Sequence, residues 1–173
     1  MKGADATVAA AQSRWKPSVT VAAIIERDGR FLLVEEETAQ GLQLNNPAGH
    51  LDAGESPPDG CAREALEETA HPFRPTALLG VYLCRTQRKE TGEDVTYLRL
   101  AFCGELGRRD PGRALDHGIV RTLWLTPEEI RSSVERHRSP LVLRCVQDYL
   151  SGIRYPLSAV YTHPSVMAAD QLA

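Results

Sequence analysis

Apolar positions recur with two different periods along this 173-residue chain, and they predict strands interrupted by amphipathic helices. Two runs rich in β-branched residues, VTVAAIIER and FLLVEEE, flank Asp28 and Gly29, a turn pair typical of a β-hairpin. The later runs TALLGVYLCRTQ and VTYLRLAFCGEL predict a second hairpin, and IVRTLWL predicts a further strand.

Start signals place three helices between these strands. Ser56 offers an N-cap hydroxyl before Pro57 at the first helical position, so we expect a helix from Pro57 to about Thr69. The run TPEEI opens a second helix, and the run SPL opens a third that continues to about residue 150. Strands and helices in this order predict an α/β protein in which helices cover the faces of a mixed sheet.

Length and composition indicate one globular domain, with 42% hydrophobic and 25% charged residues. We expect a flexible leader over 1–13, the domain over 14–157 and a C-terminal tail over 158–173. No stretch resembles a signal peptide or is long enough to span a bilayer, so the expected protein is a cytoplasmic enzyme without a membrane partner.

Charge and cysteine content narrow the expected partners. The net charge of -3 argues against binding to a nucleic-acid polymer, so phosphate groups would have to be bound by local cations or a metal ion. The four cysteines form no C-x-x-C pair, which argues against a zinc site or a disulfide framework. A small phosphate-containing molecule is therefore the expected partner, and the oligomeric state stays open.

The helix that follows Ser56 carries an unusual group of acids. Glu64, Glu67 and Glu68 stand at positions i, i+3 and i+4, so their carboxylates project from one helical face and repel one another. Such a face is either well solvated, which is the commoner case, or arranged to bind a divalent cation through hard oxygen ligands.

The spacing around these acids resembles the Nudix box of the Nudix hydrolases. That pattern is Gly, five residues, Glu, seven residues, then Arg-Glu, an aliphatic residue, any residue, Glu-Glu, any residue, Gly and an aliphatic residue. The charged positions and the first glycine all match: Gly49, Glu55, Arg63, Glu64, Glu67 and Glu68. The end departs, with Ala70 in place of glycine and His71 in place of the aliphatic residue. The full spacing favours a metal site over a charged helix that arose by coincidence.

The resemblance covers most of the chain. Within the superfamily, the chain is most similar to the NudJ-type phosphatases. It implies a Nudix-type α/β/α sandwich that hydrolyses a phosphoanhydride in nucleoside di- or triphosphates or in thiamine-type pyrophosphates. The latter include thiamine pyrophosphate and hydroxymethylpyrimidine pyrophosphate. Two alternatives stay open: a hydrolase of dinucleoside polyphosphates or nucleotide sugars on the same fold, and a non-catalytic module that senses nucleotides.

Hydrolysis of a phosphoanhydride requires neutralisation of the phosphates and activation of a water molecule, and Mg²⁺ bound by carboxylates suits both tasks. Glu64, Glu67 and Glu68 are the expected ligands, joined by the Gly49 carbonyl as the resemblance implies, with Mn²⁺ as an alternative ion. The resemblance also gives Arg63 and Glu55 a supporting contact that shapes the loop and helix. The expected catalytic set is Arg63, Glu64 and Glu68.

The general base is open at this point, because related enzymes recruit it from the helix or from a later loop. Glu64 or Glu68 would serve, and the later candidates are Glu93, Asp94 and Asp116. Among these three, Asp116 is preferred because it precedes the IVRTLWL strand.

Several other polar residues have simpler interpretations. His50 is a candidate for a phosphate contact or, equally, for a hydrogen bond within its loop. The cations on the second hairpin are expected to form a solvated edge and not a binding surface: Arg85, Arg88, Lys89 and Arg99.

Overall fold

The computed structural model describes residues 14–88 and 92–167, without the side chain of Arg88. The predicted leader, Lys89 and the last residues of the predicted tail therefore lie outside the described residues. No helix in the described ranges is both long enough and apolar enough to cross a membrane.

The elements alternate as the apolar pattern predicts. In chain order the strands are β1 (Ser18–Ile24), β2 (Glu26–Arg27), β3 (Arg30–Thr38), β4 (Gly41–Asn45), β5 (Ala48–His50), β6 (Phe73–Arg88), β7 (Glu93–Leu106), β8 (Ile119–Leu125) and β9 (Tyr155–Pro156). The helices are α1 (Pro57–Thr69), α2 (Pro127–Ser132), α3 (Leu141–Leu150) and α4 (Pro164–Met167). All three predicted helices are confirmed, and α1 and β8 match their predicted bounds.

A five-stranded sheet forms the centre of the molecule, in the order β5-β1-β7-β6-β9. β1 and β7 run parallel, whereas the other neighbours are antiparallel, so the predicted mixed sheet is confirmed. The long antiparallel pair of β6 and β7 is the second predicted hairpin. A smaller antiparallel sheet, which the sequence pattern did not separate from the first, has β3 at its centre, paired with β2, β4 and β8.

The first predicted hairpin is only partly correct. Its turn lies at Asp28 and Gly29, but only β2 pairs with β3, while β1 belongs to the mixed sheet. Val21, Ala22 and Ala23 are fully buried, which requires neighbours on both edges and cover on both faces of the strand. A hairpin with β3 alone supplies only one neighbour, so the chain crosses between the sheets near Ile25.

Helices cover both faces of the mixed sheet, as an α/β sandwich requires. On one face, Cys61 and Ala65 of α1 pack against Val21 and Phe102. On the other face, α3 contributes four buried residues to a second core cluster that includes Ala22 and Ala101: Leu141, Val142, Cys145 and Val146. The helix that carries the acids is therefore fixed to the sheet by its small apolar stripe.

Ala70 ends α1 in the left-handed conformation, with φ of 58°. Its N–H donates to the Leu66 carbonyl at 2.9 Å, as in a helix that ends on glycine. The Nudix pattern has glycine at this position. Ala70 adopts the left-handed conformation that glycine would take there, at a cost of about 1–2 kcal/mol. His71 is buried, and its Nδ1 lies 2.9 Å from the Gly107 carbonyl.

We predict that Ala70→Gly changes the free energy of unfolding by less than about 1 kcal/mol. Relief of the left-handed strain is offset by a lost buried methyl and a more flexible unfolded chain. Ala70→Val should destabilise by more than about 2 kcal/mol, because a β-branched residue is strained at positive φ and overfills the site. Urea unfolding measures both, and a valine variant as stable as the parent would contradict the left-handed helix end.

Candidate active site

Arg63 lies at the centre of the acidic cluster. Its Nε donates to Glu55 Oε2 at 3.0 Å and its Nη2 to Glu55 Oε1 at 2.8 Å, a two-point contact. Its Nη1 donates to Glu64 Oε1 at 2.9 Å and to Glu67 Oε2 at 3.0 Å. Nη2 also donates to the His50 carbonyl at 3.0 Å. One side chain thus joins the end of β5, the following loop and α1.

The Arg63 contacts keep Glu55 ionised. Hydrogen bonds from Arg63, aided by the Asp52 N–H at 2.8 Å, lower the pKa of Glu55 below its ordinary value. The hydrogen bonds with Glu55 in turn raise the pKa of Arg63. Glu55 is therefore a fixed negative charge that holds the loop between β5 and α1.

Gly49 leaves room for the carboxylate of Glu64. Gly49 pairs with Val21 in the sheet, and a Cβ on Gly49 would overlap the Glu64 carboxylate. Glu64 is 9% exposed, and this burial raises its pKa in spite of the neighbouring Arg63. A residue other than glycine at position 49 would displace the acid from its place against β5.

Glu68 is the most strongly perturbed acid of the helix. Its Oε2 accepts a hydrogen bond from the Ala48 N–H at 2.8 Å. Burial raises the pKa of Glu68 to about 9, and the negative charges of Glu36, Glu64 and Asp116 add to the rise. No lysine, arginine or histidine among the described residues forms an ion pair with Glu68. The negative potential that the neighbouring acids produce at Glu68 is therefore not compensated by a cation among the described residues.

The loop that carries Asp116 is attached to the end of α1 by backbone hydrogen bonds. The Asp116 N–H donates to the Glu67 carbonyl at 2.9 Å, and the Asp110 N–H donates to the Ala70 carbonyl at 2.8 Å. These bonds satisfy carbonyls that the helix end leaves without partners. They attach Asp116, the preferred later acid, to the last turn of α1, and its negative charge is one of those that raise the pKa of Glu68.

The other two later acids lie elsewhere. Asp94 forms a two-point ion pair with exposed Arg85, at 2.7 and 2.5 Å, and this contact lowers the pKa of Asp94 to about 2. Glu93 is the first residue of β7 and pairs in register with Arg88. The expected solvated edge is thus found at Arg85.

A cleft of about 170 Å³ opens beside Glu68, between the mixed sheet and the smaller sheet. Its wall near the acids includes Gly49 and His50, and the His50 ring lies 6.2 Å from the Tyr97 ring, centroid to centroid. The prediction for Arg99 is wrong: this side chain is 7% exposed and lines the inner part of the cleft. It is buried because β7 is an interior strand, with β1 and β6 as its neighbours.

Sequence reasoning missed Glu36, which lines the cleft with Glu68 and forms an ion pair with Arg138 at 3.4 Å. The sequence signal that could have revealed Glu36 is the acidic run at the end of β3. Alternation along the strand places Glu36 on the face opposite Glu35 and Glu37. Glu35 is a structural acid instead, since it is buried and accepts hydrogen bonds from Arg121 and Arg136.

In this conformation, no three Asp, Glu, His or Cys side chains of the described ranges converge on one point as ligands of a single ion. Arg63 holds both Glu64 and Glu67, and Ala48 holds Glu68. The chemistry of the set nevertheless suits a hard divalent cation, because buried carboxylates with raised pKa values gain most from a positive partner.

Comparison with known proteins agrees with this geometry. The model of the NUDIX domain matches residues 14–145 of the chain. The chain therefore belongs to the Nudix family and is a Nudix hydrolase, an enzyme that acts on a pyrophosphate linkage.

Named relatives place it more closely within the family. Phosphatase NudJ of Escherichia coli is 37% identical over 147 residues, which cover 84% of this chain and 92% of the relative. A Nudix hydrolase from Nitrosomonas europaea is 48% identical, with a TM-score of 0.78 over 86% of this chain and 98% of that structure. The MutT protein from Methanosarcina mazei, at 24% identity and a TM-score of 0.61, shares the fold over 81% of this chain and 99% of its own.

We predict that Glu68→Gln stabilises the metal-free protein at alkaline pH. The folded state keeps the Glu68 proton up to a pKa of about 9, whereas the unfolded chain releases it near 4.5. The raised pKa therefore contributes stability at acid pH that is lost as the pH rises towards 9, by up to about 1.4 kcal/mol per unit. Glutamine stays neutral throughout and should remove this dependence.

Urea unfolding in the presence of EDTA, at pH values from about 5 to about 9, measures the effect. Glu128→Gln is the matched control, since that side chain is 77% exposed, and it should follow the parent protein. Parallel pH profiles for the Glu68 variant and the parent would contradict the buried, protonated state of Glu68.

Proposed function

We propose that this chain is a Mg²⁺-dependent hydrolase of a phosphoanhydride bond in nucleoside di- or triphosphates or in thiamine-type pyrophosphates. Thiamine pyrophosphate and hydroxymethylpyrimidine pyrophosphate are representative substrates of the second class. The observation that carries the proposal is the pair of buried carboxylates, Glu64 and Glu68, held against β5 beside the cleft. The relationship to a phosphatase, NudJ of Escherichia coli, supports the same reaction class.

Three carboxylates and one carbonyl would hold the ion: Glu64, Glu67, Glu68 and Gly49. Mg²⁺ keeps several water molecules and takes only a few protein oxygens, so the limited number of carboxylates suits it, and Mn²⁺ is the alternative. When bound, the ion supplies neutralisation of the phosphate oxygens and a water molecule of lowered pKa. Binding requires Glu64 and Glu67 to divide their oxygens between the ion and Arg63.

Arg63 and Glu55 would act by position. The two-point contact between them fixes the loop after β5, and the remaining guanidinium nitrogen orients Glu64 and Glu67. The general base would be Glu64, Glu68 or Asp116, because Glu68 lines the cleft and the charges of Glu64 and Asp116 both contribute to its raised pKa. Glu93 and Asp94 are less suitable, because they lie on the exposed hairpin of β6 and β7.

The proposal also includes the location of the enzyme in the cell, the bounds of its domain and its partner. We infer a cytoplasmic protein whose Nudix domain covers 14–157 and whose partner is a small phosphate-containing molecule.

We predict that the purified protein with Mg²⁺ releases phosphate or pyrophosphate from at least one member of a broad panel. The panel contains nucleoside di- and triphosphates, thiamine pyrophosphate, hydroxymethylpyrimidine pyrophosphate, a dinucleoside polyphosphate and a nucleotide sugar, with products identified. Glu67→Gln and Glu68→Gln should each lower turnover by orders of magnitude without loss of the fold.

The panel also separates the alternatives. Release from the dinucleoside polyphosphate or nucleotide sugar alone would move the assignment to those substrates. No release from any compound would support the non-catalytic module. Near-normal turnover in both glutamine variants would refute the assigned ligand roles.

We predict that Gly49→Ala lowers turnover by about 100-fold, because the added methyl displaces the Glu64 carboxylate by a distance that catalysis does not tolerate. Circular dichroism should show an unchanged fold. Gly112→Ala is the matched control, since a Cβ there would meet its nearest neighbour, Asp110 Oδ1, at an ordinary 3.4 Å. Equal activity of the two variants would show that Glu64 does not need its place against β5.

A further inference from the structure

The outer edge of β6 has a strand partner along only a small part of its length. Its inner edge pairs with β7 as far as Arg88, whereas β9 covers the outer edge at Ala77 and Leu78 alone. Among the strands that the structure describes, none pairs with the outer edge from Gly80 to Arg88. The backbone groups that point outwards there are open to another strand.

This open edge carries exposed apolar side chains. Val81 is 56% exposed and Leu83 is 64% exposed. Alternation along the strand places both on one face of the sheet, with Tyr82 and Cys84 half-buried on the other. Natural proteins protect an open edge with charged residues or proline, but the sequence GVYLC at 80–84 contains neither. An unprotected apolar edge is typical of an interface.

Two grooves follow the same edge and carry further exposed apolar side chains. One groove lies between β6 and α3, and Tyr155 lines it. The other lies between the end of β6 and residues 134–140, and Val134 lines it. Exposed apolar surface is therefore concentrated along the edge of β6 and continues on both sides of it.

The open edge is complementary to itself. A two-fold axis through Tyr82, perpendicular to the sheet, would pair β6 antiparallel with β6 of a second copy. Val81 of each copy would then lie opposite Leu83 of the other, which gives two apolar cross-strand pairs. Gly80 would lie opposite Cys84. Each of these pairs is uncharged, so the arrangement brings no like charges together.

The charges around this segment also permit a second copy. The cation that follows it, Arg85, is already paired with Asp94 of its own hairpin, so two copies would not bring unpaired guanidinium groups of Arg85 together. The net charge of the chain is only -3, so repulsion between two copies is weak.

We propose that the outer edge of β6 is a homodimer interface. Two copies pair antiparallel from Gly80 to Cys84 about an axis through Tyr82, and the mixed sheet continues from one copy into the other. The paired segment includes Cys84, which lines the cleft, so the interface lies beside one wall of the cleft in each copy. This inference does not depend on the reaction or the substrate of the proposed function.

Sedimentation velocity of the full chain, from a few micromolar to several hundred micromolar, tests the interface. The parent should change from monomer to dimer as the concentration rises. Leu83→Lys places a charge within the apolar pairs and should raise the Kd of the dimer by at least about 100-fold. Val81→Lys should act in the same way. Leu42→Lys is the matched control, since that leucine is 49% exposed on β4, and it should leave the Kd unchanged.

A double variant tests the position of the two-fold axis. Val81→Glu combined with Leu83→Lys places opposite charges across both cross-strand pairs, so the dimer should form again and should weaken at high salt. Circular dichroism of each variant should match the parent, because both side chains are exposed. A double variant no more dimeric than Leu83→Lys would overturn the axis through Tyr82 and the proposal with it.

Amide hydrogen exchange locates the contact independently of mutation. Exchange of the outward-pointing amides between Gly80 and Cys84 should slow as the parent dimerises, whereas β4 around Leu42 should not change. A parent that stays monomeric throughout the concentration range, or a Leu83→Lys variant that dimerises as the parent does, would overturn the proposal. A dimer that leaves the exchange of these amides unchanged would overturn it as well.

Discussion

The shared guanidinium of Arg63 is the interaction on which the rest of the site depends. It is the cation that both Glu55 and Glu64 contact, and it also binds the backbone carbonyl at the end of β5. Without it, the acids of α1 would repel one another, and the loop before the helix would lose its connection to the helix. Hydrogen bonds from Arg63 keep Glu55 ionised, whereas Glu68 contacts no such cation and burial raises its pKa, so the two acids differ in their ionisation.

The sequence predicted helix α1 well because the signals for it are local. Helix α1 has an N-cap, a proline start and a fixed spacing of acids, all contained in one short stretch, and the structure gives it the predicted bounds. Ala70 is a useful case, since the departure from the family pattern leaves the backbone conformation unchanged. Local rules of capping and periodicity were sufficient here.

The cleft-lining residues outside α1 and β5 were not predictable in the same way. Whether Arg99 is solvated or buried depends on the neighbours of β7, and one of them, β1, is about 80 residues earlier in the chain. The same holds for Glu36 and Asn45, which reach the cleft only because the chain crosses into a second sheet after β1. Hydrophobic pattern identifies the strands, but strand order and register decide which polar side chains meet.

The attachment of the 110–116 loop to α1 has a further consequence for how the chain tolerates change. Both anchors, from Asp110 and Asp116, reach carbonyls within one turn of the helix, so the exposed residues between them leave and return at nearly the same place. Their number can therefore vary while Asp116 stays bonded to the Glu67 carbonyl, because the constraint acts on the ends of the loop and not on its length. The position of Asp116 relative to α1 is in this way independent of insertions and deletions a few residues upstream.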